Sequence, residues 1–182
     1  GIDDASHTET FVALKAKINN WRWSGVPFYL RTGKRMHEHV TEVVINFYSL
    51  PHAIYPAVDA CESVNRLYIR LQPHERVELH LMAKQAGDRN ILKPVKLDLD
   101  LTGSNERHLD AYERLLMDVV RGNQTLFVRR DELNAAWKWV EPIMQSWDSS
   151  SEGPEPYVAG SSGPDRAGDL IEAGSVGWIE DC

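Results

Sequence analysis

The sequence predicts an α+β fold, with a largely antiparallel sheet followed by C-terminal helices packed on it. Strand-like segments follow one another between residues 42 and 101 with no helical period between them. Consecutive strands of this kind pair antiparallel. After residue 110 the spacing of apolar residues changes from the period of a strand to that of a helix.

The first strand is predicted around residues 10–18, where Val12, Leu14 and Ala16 alternate with other residues along a half-buried face. Trp21 and Trp23 share a face if their stretch is extended, and both are expected to be packing residues. Pro27 lacks an N–H group, which places the next segment at a sheet edge or a break in the ladder. Residues 42–48 are rich in β-branched and aromatic residues and predict a strand. Three further strand segments cover residues 66–71, 77–82 and 92–101, the last with Val95, Leu97, Leu99 and Leu101 alternating on one face.

Two helices are predicted in the last third of the chain. Asp110 followed by Glu113 resembles a capping box, and the apolar spacing after it continues to Gly122. Asp131 is predicted to cap a second helix. Pro142 falls within its apolar stripe, so it should kink the helix or mark its last turns. The stripe contains Leu133, Ala136, Trp137, Val140, Ile143, Met144 and Trp147.

The 182 residues suit one domain with a sizeable core. We expect a frayed terminus over residues 1–8, the domain over 9–147 and an irregular tail over 148–182, which is rich in Ser, Gly and Pro at first. The start at Gly1 without a methionine suggests a fragment or a processed product. No signal peptide is visible.

The charge and cysteine content limit the partners. A net charge of −7 argues against nucleic acid, which clustered Lys and Arg residues bind. No apolar stretch reaches the roughly 20 residues of a membrane helix. Cys61 and Cys182 do not make a disulfide framework, so reduced thiols in a cytoplasmic protein are expected.

Residues 31–34, Arg-Thr-Gly-Lys, form the motif with the most chemical content. Gly33 has no Cβ, so the backbone there can turn sharply or lie against a ligand. Lys34 offers a charge suited to a phosphate, although an ordinary surface lysine is the preferred interpretation of the residue itself. The spacing excludes a P-loop, because Arg35 follows Lys34 and Gly25 is too distant. No Gly-x-Gly-x-x-Gly run is present, so no dinucleotide-binding fold is predicted in this chain.

His37-Glu38-His39 is interpreted as a solvated loop. Two histidines one residue apart can share a face, but no second ligand pair with metal-binding spacing follows them. No arrangement for nucleophilic catalysis is visible. Neither these histidines nor His80 is assigned as a general base, and no catalytic residue is predicted.

Several stretches together resemble the glucose-6-phosphate dehydrogenase family, bacterial type: residues 8–13, 21–35, 70–73, 110–116, 127–132 with Ala136-Trp137, and 157–164. The resemblance implies the later part of the β+α domain of an enzyme of the pentose phosphate pathway. That enzyme oxidises glucose 6-phosphate to 6-phosphogluconolactone with NADP. It also implies that NADP and the catalytic residues are held mainly by an N-terminal domain missing here, so the isolated chain should be inactive.

The resemblance implies three substrate-binding positions. Lys34 matches the phosphate-binding lysine of the family, and Gln72 matches a residue that contacts the sugar phosphate. His39 stands where the family usually has a second Lys or Arg. Histidine is mostly neutral at pH 7, so we expect a more pH-dependent affinity, compensation by Arg35 or His37, or weak binding.

Some members of the family hold a second, structural NADP. Its usual basic and aromatic positions are occupied here by Val40, Val44, Glu78 and His80, and Ser162 stands where Trp or Arg is common. We therefore expect no structural NADP.

The resemblance further implies a homodimer or homotetramer built on the large sheet, with the strands between Arg66 and Leu101 as candidates. Leu97, Leu99 and Leu101 could equally face the domain's own helices. A different interpretation is a non-catalytic module that uses this fold for oligomerisation or effector binding. The missing nucleotide domain favours the module, whereas the presence of both Lys34 and Gln72 favours the enzyme.

Overall fold

A computed structural model describes residues 6–48, 64–87, 91–101, 111–171 and 178, with residue 111 described by its backbone alone. These residues form antiparallel sheets and α-helices, which confirms the α+β class. Contacts divide the chain into two units. A helical unit contains residues 104–155 with 1–9, and a sheet unit contains residues 10–103 with 156–182.

The small sheet pairs β1 (Phe11–Lys17) with β2 (Pro27–Gly33) in antiparallel register. Pro27 lies at the end of this ladder opposite Lys17, as expected for a residue without an N–H group. Residues 21–25 form a turn, so the extended geometry considered for the two tryptophans is wrong. Trp23 packs edge-on against Phe28 with ring centroids 5.4 Å apart, whereas Trp21 is 99% exposed and is no packing residue within the described chain.

The large sheet contains β3 (Thr41–Asn46), β4 (Arg66–Gln72), β5 (Arg76–Lys84) and β6 (Leu92–Asp100) in that order, all antiparallel. Each predicted strand is confirmed with small changes at its ends. Side chains alternate between the faces of a strand, so this sheet has a polar and an apolar face. The polar face carries Glu42, Arg66, Tyr68, Arg70, Arg76, Glu78, His80, Lys96 and Asp98, and the apolar face carries Val43, Ile45, Leu67, Ile69, Leu71, Val77, Leu79, Leu81, Val95, Leu97 and Leu99.

The helical unit contains α1 (Ala111–Arg121) and α2 (Arg130–Asp148), which confirms the two predicted helices. The prediction that Asp131 caps α2 is wrong, because the cap is Arg129. Its N–H group, which has no hydrogen-bond partner in the helix backbone, donates to Glu132 Oε2 at 2.9 Å. Asp131 instead lies in the first turn, where a carboxylate interacts favourably with the helix dipole. Asp110 lies outside the described residues.

Pro142 lies inside α2, which continues to Asp148, so the proline falls in the last turns of the helix. None of the helices in the described ranges is long and apolar enough to cross a membrane. The helices and the sheet belong to different units, and the packing of α1 and α2 on the sheet stays a prediction. The boundaries expected for the terminus, domain and tail likewise stay predictions.

Within the sheet unit, part of the segment expected to be an irregular tail lies against the small sheet. A 3₁₀ helix, Asp165–Leu170, contacts β1, and Ala167 within it is buried. The indole N–H group of Trp178 donates to the Ala167 carbonyl at 2.9 Å. Residues from the C-terminal end of the chain therefore contribute to the packing around β1 and β2.

Candidate phosphate-binding site

Lys34 follows β2 directly, and its backbone extends the pairing of the small sheet. Its N–H group donates to the Thr10 carbonyl at 2.8 Å, next to the pair formed by Phe11 and Gly33. The lysine itself is exposed. The end of a strand pair thus fixes where the backbone of Lys34 lies.

Gly33 is needed for packing and not for a turn. A Cβ on Gly33 would lie 2.7 Å from Met36 Sδ and 2.8 Å from Phe11 Cδ2. The sharp turn considered at Gly33 as one of two alternatives lies instead at Arg35, whose φ of 51° is in the left-handed region. Such a conformation is uncommon for a residue with a Cβ and needs support from its surroundings.

That support comes from residues 157–163, the clamp segment, which binds residues 34–37, the Lys34 loop. The Tyr157 hydroxyl donates to the Lys34 carbonyl at 2.7 Å. The Gly160 N–H group donates to the Arg35 carbonyl at 2.8 Å, and the His37 N–H group donates to the Ser161 carbonyl at 3.2 Å. Backbone groups on both sides of the strained residue are therefore held by one distant segment.

The clamp segment itself is fixed by Phe11. The rings of Phe11 and Tyr157 lie 5.6 Å apart at a tilt. Gly163 has a φ of 110°, and a Cβ there would lie 2.7 Å from Phe11 Cζ. Only glycine tolerates both this conformation and this contact.

Arg31 on β2 also binds the C-terminal part of the chain. Its guanidinium lies 4.7 Å from the centre of the Trp178 ring, and its Nη1 donates to the Ser162 carbonyl at 3.5 Å. The Trp178 ring meets Tyr29 edge-on at 6.2 Å. Arg31, three residues before Lys34, thus has a packing role in the described structure.

The other predicted substrate-binding residues lie along the path that leads away from Lys34. His39 is exposed in the connection between β2 and β3. Gln72 is the last residue of β4, opposite Thr41, whose hydroxyl donates to Gln72 Oε1 at 3.2 Å. This leaves the amide nitrogen of Gln72 as a donor for a ligand. The sheet unit therefore contains all three predicted substrate-binding residues. Lys34 and His39 lie on the connection between β2 and β3, and Gln72 lies opposite Thr41, where that connection ends.

A second group of basic residues lies on the polar face of the large sheet, where carboxylates surround them. Glu78 contacts Lys96 Nζ at 2.8 Å, Arg76 Nε at 2.8 Å and His80 Nε2 at 3.0 Å. Arg76 also binds Asp98 through two nitrogens. Two of these residues, Arg76 and Glu78, line a cleft together with Glu42, Tyr68 and Arg70.

Ion pairing on the polar face favours the charged forms of its groups. Burial raises the pKa of Glu78, but hydrogen bonds from Lys96 and His80 and the charges of Lys96 and Arg76 reverse this and leave the pKa below its ordinary value. The hydrogen bond from Arg76 lowers the pKa of Asp98, and the same bond raises the pKa of Arg76. The polar face is therefore a network of opposite charges, in which carboxylates already form ion pairs with the basic side chains.

A family model described as the C-terminal domain of glucose-6-phosphate dehydrogenase matches residues 1–179. The chain belongs to the glucose-6-phosphate dehydrogenase family. It is 51% identical over 177 residues to the glucose-6-phosphate 1-dehydrogenase of Mycolicibacterium smegmatis, covering 97% of this chain and 36% of that protein. It is 50% identical over 175 residues to that of Rhizobium meliloti, covering 95% and 36%.

Solved structures of glucose-6-phosphate dehydrogenases share the fold. The Mycobacterium avium enzyme superposes with a TM-score of 0.81 at 32% identity, over 99% of this chain and 37% of that one. A glucose-6-phosphate dehydrogenase in complex with its substrate gives a TM-score of 0.77 at 34% identity, over 90% and 34%. The chain thus spans little more than a third of the length of these members of the family.

In this member of the glucose-6-phosphate dehydrogenase family, sequence reasoning matched residues 157–164 to the family but missed their contact with the Lys34 loop, and it also missed the ion-pair network. Tyr157 lies 123 positions from Lys34, and no local pattern joins them. The network could have been found, because acidic and basic residues alternate with apolar ones along neighbouring strands. Within the described ranges, no group of three or more His, Cys, Asp and Glu residues is arranged to hold a metal ion.

Proposed function

We propose that this chain is the C-terminal part of a cytoplasmic glucose-6-phosphate dehydrogenase, which oxidises glucose 6-phosphate to 6-phosphogluconolactone with NADP. Within that enzyme the chain supplies part of the sugar-phosphate site and an oligomer interface. The observation that carries the proposal is the position of Lys34, exposed at the end of a strand pair with its backbone hydrogen-bonded on both sides. The family match and the relatives named above support it.

Lys34 neutralises charge on the substrate phosphate through charge-assisted hydrogen bonds. Gln72 contributes its amide nitrogen, since its oxygen already accepts from Thr41. His39 is a second, weaker phosphate ligand on the same connection. The substrate is thereby fixed at its phosphate end, while the chemistry at its C1 hydroxyl belongs to residues outside this chain.

NADP is the oxidant of the proposed reaction, and its binding site lies mainly in the part of the enzyme beyond this chain. The polar face is no second site for NADP, because Glu78 stands at the centre of its cations and repels a phosphate. Removing the carboxylate is therefore necessary before an anion can bind there. The isolated chain catalyses no dehydrogenation.

The oligomer is a homodimer or homotetramer whose interface includes the large sheet. Support comes from the apolar face, where side chains remain about half exposed: Leu71 is 51%, Leu97 is 55% and Leu99 is 57% exposed. Apolar patches of this kind mark protein–protein contacts. Neither nucleic acid nor a membrane is a partner in this proposal.

A chimeric enzyme tests the function. This chain replaces the matching C-terminal part of the Mycolicibacterium smegmatis glucose-6-phosphate 1-dehydrogenase, and the reduction of NADP is followed with glucose 6-phosphate. We expect turnover, and we expect Lys34→Ala to raise KM for glucose 6-phosphate by about 10- to 100-fold, the value of a hydrogen bond to a charged group. Lys138→Ala, which removes an exposed lysine of α2, is the matched control and should change KM little.

The outcome separates the enzyme from the non-catalytic module. A chimera that folds and oligomerises, but neither turns over nor binds glucose 6-phosphate, contradicts the proposal and favours the module. Circular dichroism and thermal melting establish that each variant is folded.

A further inference from the structure

We propose that Tyr157 is a positioning residue for Lys34, and that its hydroxyl sets the orientation from which the lysine reaches the substrate phosphate. This inference rests on the proposed function of Lys34. It assigns to the clamp segment a role in substrate affinity in addition to its packing.

Thr10 and Tyr157 form hydrogen bonds with the peptide groups on both sides of Lys34. The Lys34 N–H group donates to the Thr10 carbonyl at 2.8 Å, and the Lys34 carbonyl accepts from the Tyr157 hydroxyl at 2.7 Å. The same hydroxyl lies 3.0 Å from the Thr10 carbonyl. Because the hydroxyl has a single hydrogen, the Lys34 and Thr10 carbonyls share it, with the shorter distance to Lys34. Thr10 and Tyr157 together thus hold the backbone from which the lysine side chain extends.

The conformation of the next residue makes this attachment necessary. Arg35 has a φ of 51°, and a residue with a Cβ holds such a conformation only when its surroundings enforce it. Loss of the bond to the Lys34 carbonyl leaves the Arg35 carbonyl bonded to Gly160 but removes the restraint on the peptide between Lys34 and Arg35, which can then rotate over a wider range. The flexible lysine stem then starts from several orientations, and phosphate binding has to select one of them.

The position of the Tyr157 hydroxyl distinguishes positioning from packing. The ring of Tyr157 packs on Phe11, whereas its hydroxyl bonds to the carbonyl of Lys34, which is an exposed residue. Tyr157→Phe keeps the ring and removes the hydroxyl alone. The fold should therefore persist while the loop loses its preferred orientation.

The test uses the same chimeric enzyme with Tyr157→Phe. We expect KM for glucose 6-phosphate to rise by about 3- to 10-fold, the range of one neutral hydrogen bond, with kcat and KM for NADP unchanged. Competitive inhibition by inorganic phosphate should weaken by the same factor. Tyr48→Phe, which removes the hydroxyl of a tyrosine that is 87% exposed, is the matched control. All activities are measured about 15 °C below the lowest melting temperature, so that unfolding does not contribute.

A double variant shows whether the effect acts through the lysine. In the Lys34→Ala background, Tyr157→Phe should raise KM no further, because there is no ammonium group left to orient. Equal changes in KM for both substrates, or additive effects of the two substitutions, overturn the inference. An effect of Lys34→Ala with none of Tyr157→Phe also overturns it and leaves the proposed function intact. The absence of any effect of Lys34→Ala overturns both.

Discussion

The Lys34 loop and the polar face of the large sheet both carry basic residues, but the two regions hold them in opposite ways. On the polar face, Arg76 and Lys96 each lie 2.8 Å from a Glu78 oxygen. In the loop, the backbone carbonyl of Lys34 and not its side chain is bonded by the clamp segment. A cation fixed by carboxylates serves the fold, whereas a cation fixed through its backbone stays available to an anionic ligand.

The largest effect is expected where the clamp segment meets Phe11. Gly163→Ala combines a positive φ with a Cβ placed against the Phe11 ring, so we expect it to lower the free energy of unfolding by about 2–4 kcal/mol. Gly160→Ala is the matched control, because it has a positive φ of 86° but no atom within 4 Å of its Cβ position. It should cost only about 1 kcal/mol. Urea unfolding of the two variants checks the difference, and equal losses would contradict the contact.

The next largest effect is expected on the polar face, where removal of one carboxylate should leave basic side chains available to an anion, as Lys34 is in its loop. Glu78→Gln removes the central carboxylate of the polar face and leaves Arg76 and Lys96 without this partner. We expect weak binding of pyrophosphate there, with Kd of about 1 mM or above, which the unaltered face lacks. Titration calorimetry in the Lys34→Ala background keeps the loop out of the measurement. If Glu78→Gln binds no pyrophosphate, carboxylates are not what keeps anions off this face.

The ion pairs also predict how stability depends on pH. The pKa of Glu78 is lower in the folded chain than its ordinary value of 4.5, and the pKa of Asp98 is likewise below 3.8. Their contribution is therefore complete above these ordinary values and is lost as the pH falls through the lower, folded values. We expect a decline in the free energy of unfolding below about pH 4.5, and a shallower decline for Glu78→Gln. Urea unfolding between pH 6 and pH 3 measures both slopes, and identical slopes would contradict the assignment.

The smallest effect concerns His39. Replacing it with lysine places a permanent charge beside the phosphate, so we expect His39→Lys to tighten glucose 6-phosphate binding by about 3- to 10-fold at pH 8. Steady-state kinetics of the chimera at pH 8 check this, with His74→Lys as a control at another exposed histidine. An equal gain from His74→Lys, or no gain from His39→Lys, would contradict a place for residue 39 beside the phosphate.

The sequence predicted the elements of the fold well because their periods are local. Along β4, apolar Leu67, Ile69 and Leu71 alternate with polar residues, and neighbouring strands repeat the pattern. The start of α2 was misplaced because Asp131 has the side chain of a cap, whereas Arg129 provides the cap through its own backbone N–H group. Local pattern thus predicts an element more reliably than its end.

The candidate site was predicted only in part. Lys34, His39 and Gln72 came from resemblance to a family, and composition alone left Lys34 as an ordinary surface lysine. A sharp turn or a close approach to a ligand was considered at Gly33, yet the turn lies at Arg35, because hydrogen bonds from Tyr157 and Gly160 hold the strained backbone. Those bonds join residues far apart in sequence, and their partners are backbone groups that every residue has. No sequence pattern distinguishes such acceptors.

The central claim is that this chain holds a phosphate-binding loop in place before substrate arrives. Calorimetric titration of the full 182-residue chain with glucose 6-phosphate tests it most directly, alongside Lys34→Ala and the control Lys138→Ala. We predict saturable binding that Lys34→Ala weakens by about 10- to 100-fold and Lys138→Ala leaves unchanged. Binding that survives Lys34→Ala at full strength, or no saturable binding by the folded chain, would contradict the claim.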